Sequence, residues 1–324
     1  MPTPSTAALA RMLPAIAVGV TLVLWASAFV GVRAAGLDYS PGALALGRQI
    51  VGSVALTVMF AIRTAHRGQF ELPSGRTLLA IIAWGVVWFA GYNLALNAAE
   101  QILDAGTTAL LVNVAPVLVA VLGGILLREG FPRRLLLGIA IAFAGVAVIA
   151  ASTWTGAGSL IGILLGLAAA ALYAGGAIAQ KRILVRVDAL TMTWVGSIAG
   201  TLACLPFGRA LIAESATAAS SATAAIVYLG IFPTAIAFTT WGYALSRMSA
   251  GRLVATTYLV PPLVIALSWI LLGEVPSPFA VIGGVAALTG VAIATRPVRG
   301  RPRLRTGTRD RARVQPTRAS PMRG

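Results

Sequence analysis

Long apolar stretches separated by short polar gaps run along almost the whole chain. A helix that crosses a bilayer needs about 20 consecutive apolar residues. Ten stretches meet or approach that length, at residues 13–32, 41–62, 77–97, 105–127, 134–151, 159–179, 189–208, 222–244, 250–272 and 278–295. The gaps are rich in Pro, Gly, Ser and charge, as expected for turns at a membrane surface. The pattern predicts an all-α integral membrane protein with ten transmembrane helices.

The first stretch also has an alternative interpretation. Arg11, the apolar run behind it and the small residues Ala26-Ser27-Ala28 resemble a signal peptide with its cleavage site. The apolar run continues through Phe29, however, and nine further stretches follow it. We therefore interpret it as the first span.

Residues 105–129 and 250–274 have closely similar sequences. Both begin with Ala-Gly, have a proline eleven positions later, continue through Ile-Leu-Leu and end with a glutamate. The same offset of 145 residues continues in the glycines that follow, which pair Gly138 with Gly283 and Gly145 with Gly290. Matches at one fixed spacing over so long a stretch indicate an internal duplication.

The duplication divides the chain into two repeats of five spans, residues 13–151 and 159–295. Because five is odd, the second repeat must enter the membrane from the opposite side. We therefore predict two inverted five-helix repeats. Inverted repeats place a substrate site near the bilayer midplane, where the two halves meet.

Basic residues fall almost entirely on one side of the predicted topology. If residues 1–12 are cytoplasmic, 22 of the 25 lysines and arginines lie in cytoplasmic segments, whereas only Arg33 and Arg209 lie in outer ones. An excess of Lys and Arg on cytoplasmic loops sets the orientation of a membrane protein. Both termini are therefore predicted to be cytoplasmic.

Composition agrees with a membrane setting. The chain is 58% hydrophobic and only 10% charged, with a mean hydropathy of +0.88, whereas a soluble domain carries about 25% charge. The net charge of +16 is concentrated partly in residues 296–324, which are Arg- and Pro-rich. We predict that this tail is disordered and lies on anionic lipid headgroups, and we expect no nucleic-acid binding. The single cysteine, Cys204, excludes an internal disulfide and a cysteine-based metal cluster.

Prolines lie near the middle of two equivalent spans. Pro116 is in the fourth span, and Pro261 and Pro262 are in the ninth. A proline inside a helix lacks an N–H group and kinks the helix, which leaves a backbone carbonyl without its partner. Such carbonyls are tolerated at membrane depth where they line a wet cavity. We predict helix kinks at Pro116 and Pro261 beside a cavity; a simple packing kink is the alternative.

Polar and aromatic side chains gather at a similar depth. Asn113 and Tyr258 occupy equivalent positions three residues before the matched prolines, and Trp84, Trp88 and Tyr92 are spaced four residues apart. Aromatic rings and amides in an apolar pocket suit a small organic ligand. The alternative for the aromatic residues is the interfacial belt of a membrane protein. The candidate substrate-binding residues are Trp25, Trp88, Tyr92, Asn113, Tyr173, Trp241, Thr257 and Tyr258.

Arg48 is the only charge that the sequence places clearly inside a span. We interpret it as a member of a structural ion pair, with Asp38 or Glu274 as partner; snorkelling to the outer surface is the alternative. No Asp or Glu is predicted in mid-span, and the only histidine, His66, lies in a basic cytoplasmic loop. The sequence therefore offers no obvious proton relay, no metal site and no catalytic constellation.

The doubled pattern resembles the ten-span EamA branch of the drug/metabolite transporter superfamily. The residues that carry the resemblance are Trp25-Ala-Ser-Ala-Phe29, Pro41 with Arg48, Ala105-Gly106 with Pro116 and Glu129, and Ala250-Gly251 with Pro261 and Glu274, each half followed by its paired glycines. The resemblance covers residues 13–295. It implies an inner-membrane carrier that exports amino acids, metabolites or toxic compounds by alternating access. It also implies a central cavity lined by the first, third, fourth, sixth, eighth and ninth spans.

The chain departs from its four-span relatives, which couple to protons through a glutamate in the first span, because it has Trp25 and no acid nearby. This departure argues against proton antiport through the first span. The inverted repeat, the paired prolines and the polar and aromatic residues near the midplane predict a secondary transporter without a cofactor, whose partners are a small-molecule substrate and the lipid bilayer. Two alternatives stay open: a membrane-embedded enzyme that modifies lipid or glycan, and a non-transporting membrane scaffold. The sequence specifies neither the coupling ion nor the oligomeric state.

Overall fold

The structure is a computed structural model that describes residues 4–67, 72–73, 75–126, 133–152, 157–247, 253 and 256–295. The described part is helical and contains no strand, which confirms the all-α prediction. In the first half the helices are α1 (Pro4–Ala35), α2 (Pro41–Arg67), α3 (Gly75–Gly85), α4 (Asn93–Ile102), α5 (Ala105–Val112), α6 (Ala115–Leu126) and α7 (Arg133–Ser152). In the second half they are α8 (Ala157–Ile183), α9 (Ala189–Cys204), α10 (Gly208–Ser215), α11 (Ser220–Leu229), α12 (Ala237–Arg247), α13 (Val260–Leu272) and α14 (Pro278–Thr295).

Several of these helices continue into one another and form longer rods. Within the part of the chain that the structure describes, six continuous helical stretches are long and apolar enough to cross a membrane, and four shorter apolar helices accompany them. The six are Met12–Ala35, Pro41–His66, Gly75–Ile102, Gly158–Ile183, Ala189–Ser215 and Ser220–Arg247. The third of them extends beyond the predicted boundaries of 77–97. The basic tail 296–324, which the sequence predicts to lie on lipid headgroups, and Glu129, which carries part of the family resemblance, lie outside the described residues.

Two of the long rods contain a seven-residue π-helical segment in the middle. One segment, Val86–Tyr92, joins α3 to α4, and the other, Gly230–Ile236, joins α11 to α12. The π-helix is rare and occurs mostly at functional sites. Side chains support both segments: Asn93 Nδ2 donates to the Trp88 carbonyl oxygen at 3.2 Å, and Thr234 Oγ1 donates to that of Leu229 at 2.8 Å.

The fourth predicted span consists of two separate helices. Helix α5 ends at Val112, and α6 begins at Ala115 with Pro116 as its second residue. A proline in the first turn costs no hydrogen bond, because those N–H groups lack partners inside the helix. Pro261 is likewise the second residue of α13, which follows the 3₁₀ turn Thr257–Leu259. Each proline thus begins a new helix, whereas the sequence predicted a kink in a continuous one.

Helices α7 and α14 are in close backbone contact through glycines. A Cβ atom on Gly283 would lie 2.7 Å from the Gly145 carbonyl oxygen, and a Cβ atom on Gly290 would lie 2.6 Å from the Gly138 carbonyl oxygen. These separations are too short for any side chain. Small residues that allow backbones to approach are typical of helix packing in membranes.

Helices α2 and α9 run side by side and are tied at their ends by polar contacts. Asp188 caps α9 by accepting from the Thr191 backbone N–H at 3.1 Å, and it also pairs with Arg63 near the end of α2. At the opposite end, Glu214 of α10 accepts a hydrogen bond from the Ser40 backbone N–H at 2.8 Å, just before α2. The start of α9 is therefore bound to the end of α2, and the start of α2 is bound to the end of α10, which continues from α9.

Candidate functional site

A cavity of about 50 Å³ lies between the two halves of the helix bundle. This space holds only a few water molecules. Helices α1, α2, α4, α5, α8 and α12 line it, together with the π-helical segment Val86–Tyr92 and the turn before α13. These elements belong to the six spans that the resemblance implied, except for α2, which belongs to the second span. That helix contributes the one charged side chain of the lining, Arg48.

Six aromatic residues line the cavity, and five of them are in contact with one another. Trp88 lies 5.0 Å from Tyr173 and 5.8 Å from Phe238, measured between ring centroids. Trp25 lies 5.5 Å from Phe238, and Tyr92 lies 6.1 Å from Tyr173. Edge-on and tilted pairs at these distances are favourable and hold the rings in defined orientations. The wall is therefore a preformed aromatic cage.

Arg48 is buried, with only 4% of its surface exposed. Its Nε donates to Thr234 Oγ1 at 2.8 Å, in the second π-helical segment. Within the described residues no carboxylate oxygen lies within 4 Å of its guanidinium, and Glu274 pairs instead with Arg33 at 2.9 Å. The predicted ion pair of Arg48 with Asp38 or Glu274 was therefore wrong, because α2 turns this side chain inward to the cavity.

Two polar atoms at the cavity are buried without a protein partner among the described residues. They are the indole Nε1 of Trp88, a donor, and the Oδ1 atom of Asn93, an acceptor. The amide orientation of Asn93 follows from its Nδ2, which donates to the carbonyl oxygens of Trp88 and Phe89. Buried polar groups are nearly always hydrogen-bonded, so each unpaired atom needs an explanation. A bound ligand that both accepts and donates hydrogen bonds would satisfy them.

The structure brings together most of the predicted substrate-binding residues. Trp25, Trp88, Tyr92 and Tyr173 line the cavity, as does Thr257. Trp241 lies one layer behind, with its ring centroid 4.8 Å from that of Trp25.

Asn113 and Tyr258 lie elsewhere. The Asn113 side chain donates to the Ala109 carbonyl oxygen at 2.9 Å, because helix α5 ends at Val112 and Asn113 caps it. Tyr258 packs against the apolar cluster that contains Leu103 and Val291. Pro261 lines a separate apolar groove on the outer surface of the bundle. Neither residue of the predicted pair Asn113 and Tyr258 belongs to the lining of the cavity.

Glu100 was placed by sequence in a surface gap, and the structure corrects this. It lies inside the helical stretch Gly75–Ile102 and is only 1% exposed. Among the described residues no group of three or more His, Cys, Asp or Glu side chains is arranged to hold a metal ion. The chemistry of the cavity therefore comes from aromatic rings, a guanidinium and an amide.

The sequence missed Asn93 and Phe238. A π-helix has hydrogen bonds of i→i+5 type, which brings Asn93 to the face that carries Trp88. The four-residue spacing of Trp84, Trp88 and Tyr92 indicated that face. It did not indicate the π-helical turn that places Asn93 on the same face. Trp84 is buried, and its Nε1 donates to the Gly176 carbonyl oxygen at 3.1 Å. It therefore belongs to the interior of the bundle and not to an interfacial belt.

Comparison with known proteins identifies the family. Residues 12–151 and 160–296 each match the family described as EamA-like transporter family. The chain belongs to the EamA-like transporter family. The resemblance to the drug/metabolite transporter superfamily is thereby confirmed, and this EamA-like protein is a multi-pass membrane transporter.

The EamA-like transporter is similar to several proteins from bacteria. It is 37% identical over 288 residues to a "Probable terminal-alkyne amino-acid exporter" of Streptantibioticus cattleyicolor, which covers 87% of this chain and 93% of the relative. It is 35% identical to the "Uncharacterized transporter YdfC" of Bacillus subtilis, over 83% of this chain and 86% of that protein. A "Probable amino-acid metabolite efflux pump" of Salmonella typhimurium is 25% identical over 84% of this chain and 91% of the pump.

A solved crystal structure also shares the fold of this EamA-like transporter. It superimposes with a TM-score of 0.58 and 21% sequence identity, over 87% of this chain and 97% of the other. At this identity the likeness describes the fold alone. The names of the relatives describe transporters and efflux pumps.

Proposed function

We propose that this EamA-like transporter exports amino acids and related small molecules that combine a carboxylate with an apolar or aromatic group. Transport proceeds by alternating access around the central cavity. The observation that carries the proposal is Arg48, a buried guanidinium that lines the cavity and has no carboxylate partner within 4 Å among the described residues.

A buried charge without a counter-ion is costly. Desolvation of an ion costs several kcal/mol in a protein interior, and a charge stays buried when a partner of opposite sign offsets this cost. Arginine presents a planar fork of donors that matches a carboxylate in two parallel hydrogen bonds. The Arg48 Nε is already committed to Thr234. Its terminal amino groups are left to bind the carboxylate of a substrate.

Other groups in the cavity lining complement the remaining parts of an amino acid. The Asn93 Oδ1 atom, which has no protein partner among the described residues, accepts from an ammonium group. The Trp88 indole N–H, also without a partner there, donates to a carboxylate oxygen. The ammonium group of the amino acid gains about 0.5–2 kcal/mol when it lies over an aromatic face. The rings of Trp25, Tyr92 and Tyr173 offer an apolar surface to the side chain of the amino acid. The names of two relatives, "Probable terminal-alkyne amino-acid exporter" and "Probable amino-acid metabolite efflux pump", agree with this substrate class.

Alternating access follows from the proposed arrangement of ten spans as two inverted repeats. Gly145 lies against Gly283, and Gly138 lies against Gly290. The repeat offset of 145 residues converts one contact into the other, since Gly138 matches Gly283 and Gly145 matches Gly290. Reciprocal contacts of this kind are the signature of a twofold axis. They support a pseudo-twofold relation between the halves.

The two π-helical segments support the same arrangement. Val86–Tyr92 and Gly230–Ile236 begin 144 residues apart, close to the repeat offset. The first segment lines the cavity through Trp88 and Tyr92, and the second adjoins it through Phe238, two residues beyond its end. In secondary transporters irregular helix segments at the interface of inverted repeats form the substrate site, and the repeats rock around it. The cavity therefore marks the fixed site of the proposed cycle.

Orientation is part of the proposal. The excess of basic residues in one set of gaps supports an inner-membrane protein with both termini cytoplasmic. The ends of the bundle that carry Arg33, Glu100, Glu214 and Glu274 then face outward. The end that carries Arg63 and Asp188 faces the cytoplasm. The basic tail is proposed to lie on anionic lipid headgroups at the cytoplasmic surface.

Reconstituted transport tests this function. The purified protein is placed in proteoliposomes preloaded with unlabelled amino acids, and counterflow of labelled phenylalanine, leucine, glutamate and lysine is measured. We expect saturable counterflow of phenylalanine or leucine above that of protein-free liposomes, and weaker counterflow of glutamate and lysine, whose charged side chains do not suit the aromatic cage. Counterflow equal to that of protein-free liposomes for every amino acid contradicts the proposal.

A further inference from the structure

Glu100 is a buried carboxyl group near the end of the candidate span Gly75–Ile102, and the proposed transport function does not use it. It is 1% exposed, and both its Oε1 and Oε2 atoms are buried without a hydrogen-bond partner among the described residues. An ionised carboxylate buried without donors is costly, whereas the neutral acid is tolerated far better. Buried ionisable residues in transmembrane segments commonly mark ion or proton pathways.

Glu100 lies next to the cavity. Tyr92 and Leu96 line the cavity, and Glu100 follows Leu96 by four residues on α4. Residues four apart are neighbours on one face of a helix. Glu100 is therefore one turn beyond the cavity, toward the end of the bundle that is assigned to the outside.

Arg33 connects Glu100 to the second half of the protein. Its Nη1 donates to the Glu100 backbone carbonyl oxygen at 2.8 Å, and its Nε donates to Glu274 Oε1 at 2.9 Å. Arg33 belongs to the last turn of α1, whereas Glu274 follows α13. The Arg33 and Glu274 side chains are partly exposed, at 26% and 28%. This clamp joins the two repeats at that end of the bundle.

Several charged or titratable groups surround Glu100. The two cations in electrostatic reach are Arg33 of α1 and Arg48 of α2, and the two acids are Glu274 and Asp104, the cap of α5. On the cavity side, Tyr92 of the same rod and Tyr173 of α8 lie close together. Arg33 therefore has two alternative carboxylate partners nearby, Glu274 and Glu100, and in this conformation it pairs with Glu274.

We propose that Glu100 is a proton-binding site that controls the outer end of the cavity. With a proton from the outer medium on Glu100, the side chain is neutral, and Arg33 stays paired with Glu274 in the closed arrangement. When Glu100 releases the proton to outer water, the carboxylate competes for Arg33. The contact between the repeats is then lost, and the outer end opens. The proposal rests on the orientation given under the proposed function, but it needs no substrate.

Thiol accessibility in intact cells tests the proposal. In a chain carrying Cys204→Ala, a reporter cysteine is introduced by Ala28→Cys at the cavity lining. The rate of its modification by a membrane-impermeant maleimide is measured at external pH values from 5 to 8.5. Thr217→Cys, exposed in the turn after α10, serves as the reference that corrects for thiolate reactivity. A single titrating group changes the ratio of open to closed protein by at most about tenfold per pH unit.

We expect the corrected rate at the cavity cysteine to rise with pH by up to about tenfold per unit. Glu100→Gln, which mimics the protonated acid, is expected to abolish the rise and leave the rate low, whereas Glu100→Asp preserves a pH dependence. Arg33→Gln, which breaks the clamp, gives a high rate at every pH. The control Glu214→Gln, a matched change at the same end, keeps the original response.

Two results overturn the proposal. The first is an unchanged pH response in the Glu100→Gln chain, because the titrating group is then another residue. The second is absence of labelling at Thr217→Cys in intact cells, because this end then does not face the outside and the site is not supplied from there. Neither result depends on amino-acid counterflow, so failure of the proton site and failure of the proposed substrate are separable.

Discussion

Arg48 Nε donates a hydrogen bond of 2.8 Å to Thr234 Oγ1, which joins α2 of the first repeat to the π-helical segment of the second. The same hydroxyl donates to the Leu229 carbonyl oxygen at 2.8 Å. The Thr234 hydroxyl thus orients the Arg48 guanidinium and also stabilises the π-helical segment. Arg48 can present its terminal amino groups to the cavity because its Nε is held in this way.

Removal of the Thr234 hydroxyl is expected to weaken substrate binding. Thr234→Val keeps the shape and loses the hydrogen bond to Arg48, so we expect the KM for counterflow to rise about tenfold, the effect of about 1.4 kcal/mol. Thr234→Ser retains the hydroxyl and should restore the KM. Thr239→Val is the matched control, since Thr239 donates to the Ala235 carbonyl oxygen of the same helical stretch, Ser220–Arg247, and not to Arg48. Equal KM values for Thr234→Val and Thr239→Val would show that the contact does not orient Arg48.

Two asparagines provide a direct comparison of sites. Asn93 lines the cavity with an unpaired Oδ1 atom, whereas the Asn113 side chain donates to Ala109 in its own helix. We expect Asn93→Ala to lower substrate affinity about tenfold or more through loss of a hydrogen bond to a charged group. Asn113→Ala should leave the affinity within about twofold. Binding is measured by isothermal titration with purified protein, and the reverse order of effects would refute the assignment.

The contact between α7 and α14 is expected to tolerate no side chain. Gly283→Ala places a methyl group 2.7 Å from the Gly145 carbonyl oxygen, and overpacking of this kind costs about 1–3 kcal/mol. The variant should unfold at a clearly lower temperature in detergent. In α8, Gly175→Ala is the control, because a Cβ atom there meets nothing within 4 Å. A melting temperature for Gly283→Ala equal to that of the control would contradict the packing.

Much of the site could be predicted from the sequence because its aromatic residues occur at regular spacing on apolar stretches. Trp25, Trp88, Tyr92 and Tyr173, which this signal selected, all line the cavity. The local conformation was not predictable, since a π-helical insertion has no simple residue pattern. It brings Asn93 to the cavity. At the end of α5 the Asn113 side chain bonds to the backbone of its own helix. Asn113 and Tyr258 are therefore equivalent in sequence, but neither lines the cavity.

The charged residues show a second limit of sequence reasoning. Hydropathy ended the third span before Glu100, because a carboxyl residue lowers the local average. Continuation of α4 to Ile102 buries it. Arg48 was recognised as unusual, but its partner was misjudged because the sequence does not give the rotation of α2. The direction in which a helix faces depends on tertiary packing, and hydropathy alone does not record it.

Acid is expected to weaken the contact between Asp188 and Arg63. Burial alone would raise the pKa of Asp188, but hydrogen bonds from Thr191 and the Arg63 guanidinium together outweigh burial and lower it. A lowered pKa in the folded state contributes stability above the pKa of the unfolded chain, about 3.9, and this contribution is lost as the pH falls through the folded value. Melting temperatures of wild type and Asp188→Asn in detergent should therefore converge below about pH 4. A constant difference from pH 7 to pH 3 would contradict this account.

The central claim is that Arg48 binds the carboxylate of the substrate, and a pair of ligands tests it most directly. Phenylalanine and phenethylamine differ only in the carboxylate, so their binding to the purified wild type and to Arg48→Gln is measured by isothermal titration. For the wild type we expect phenylalanine to bind at least about tenfold more tightly than the amine, as a charge-assisted hydrogen bond predicts. In Arg48→Gln this preference should disappear. An equal preference for phenylalanine in both proteins would contradict the claim.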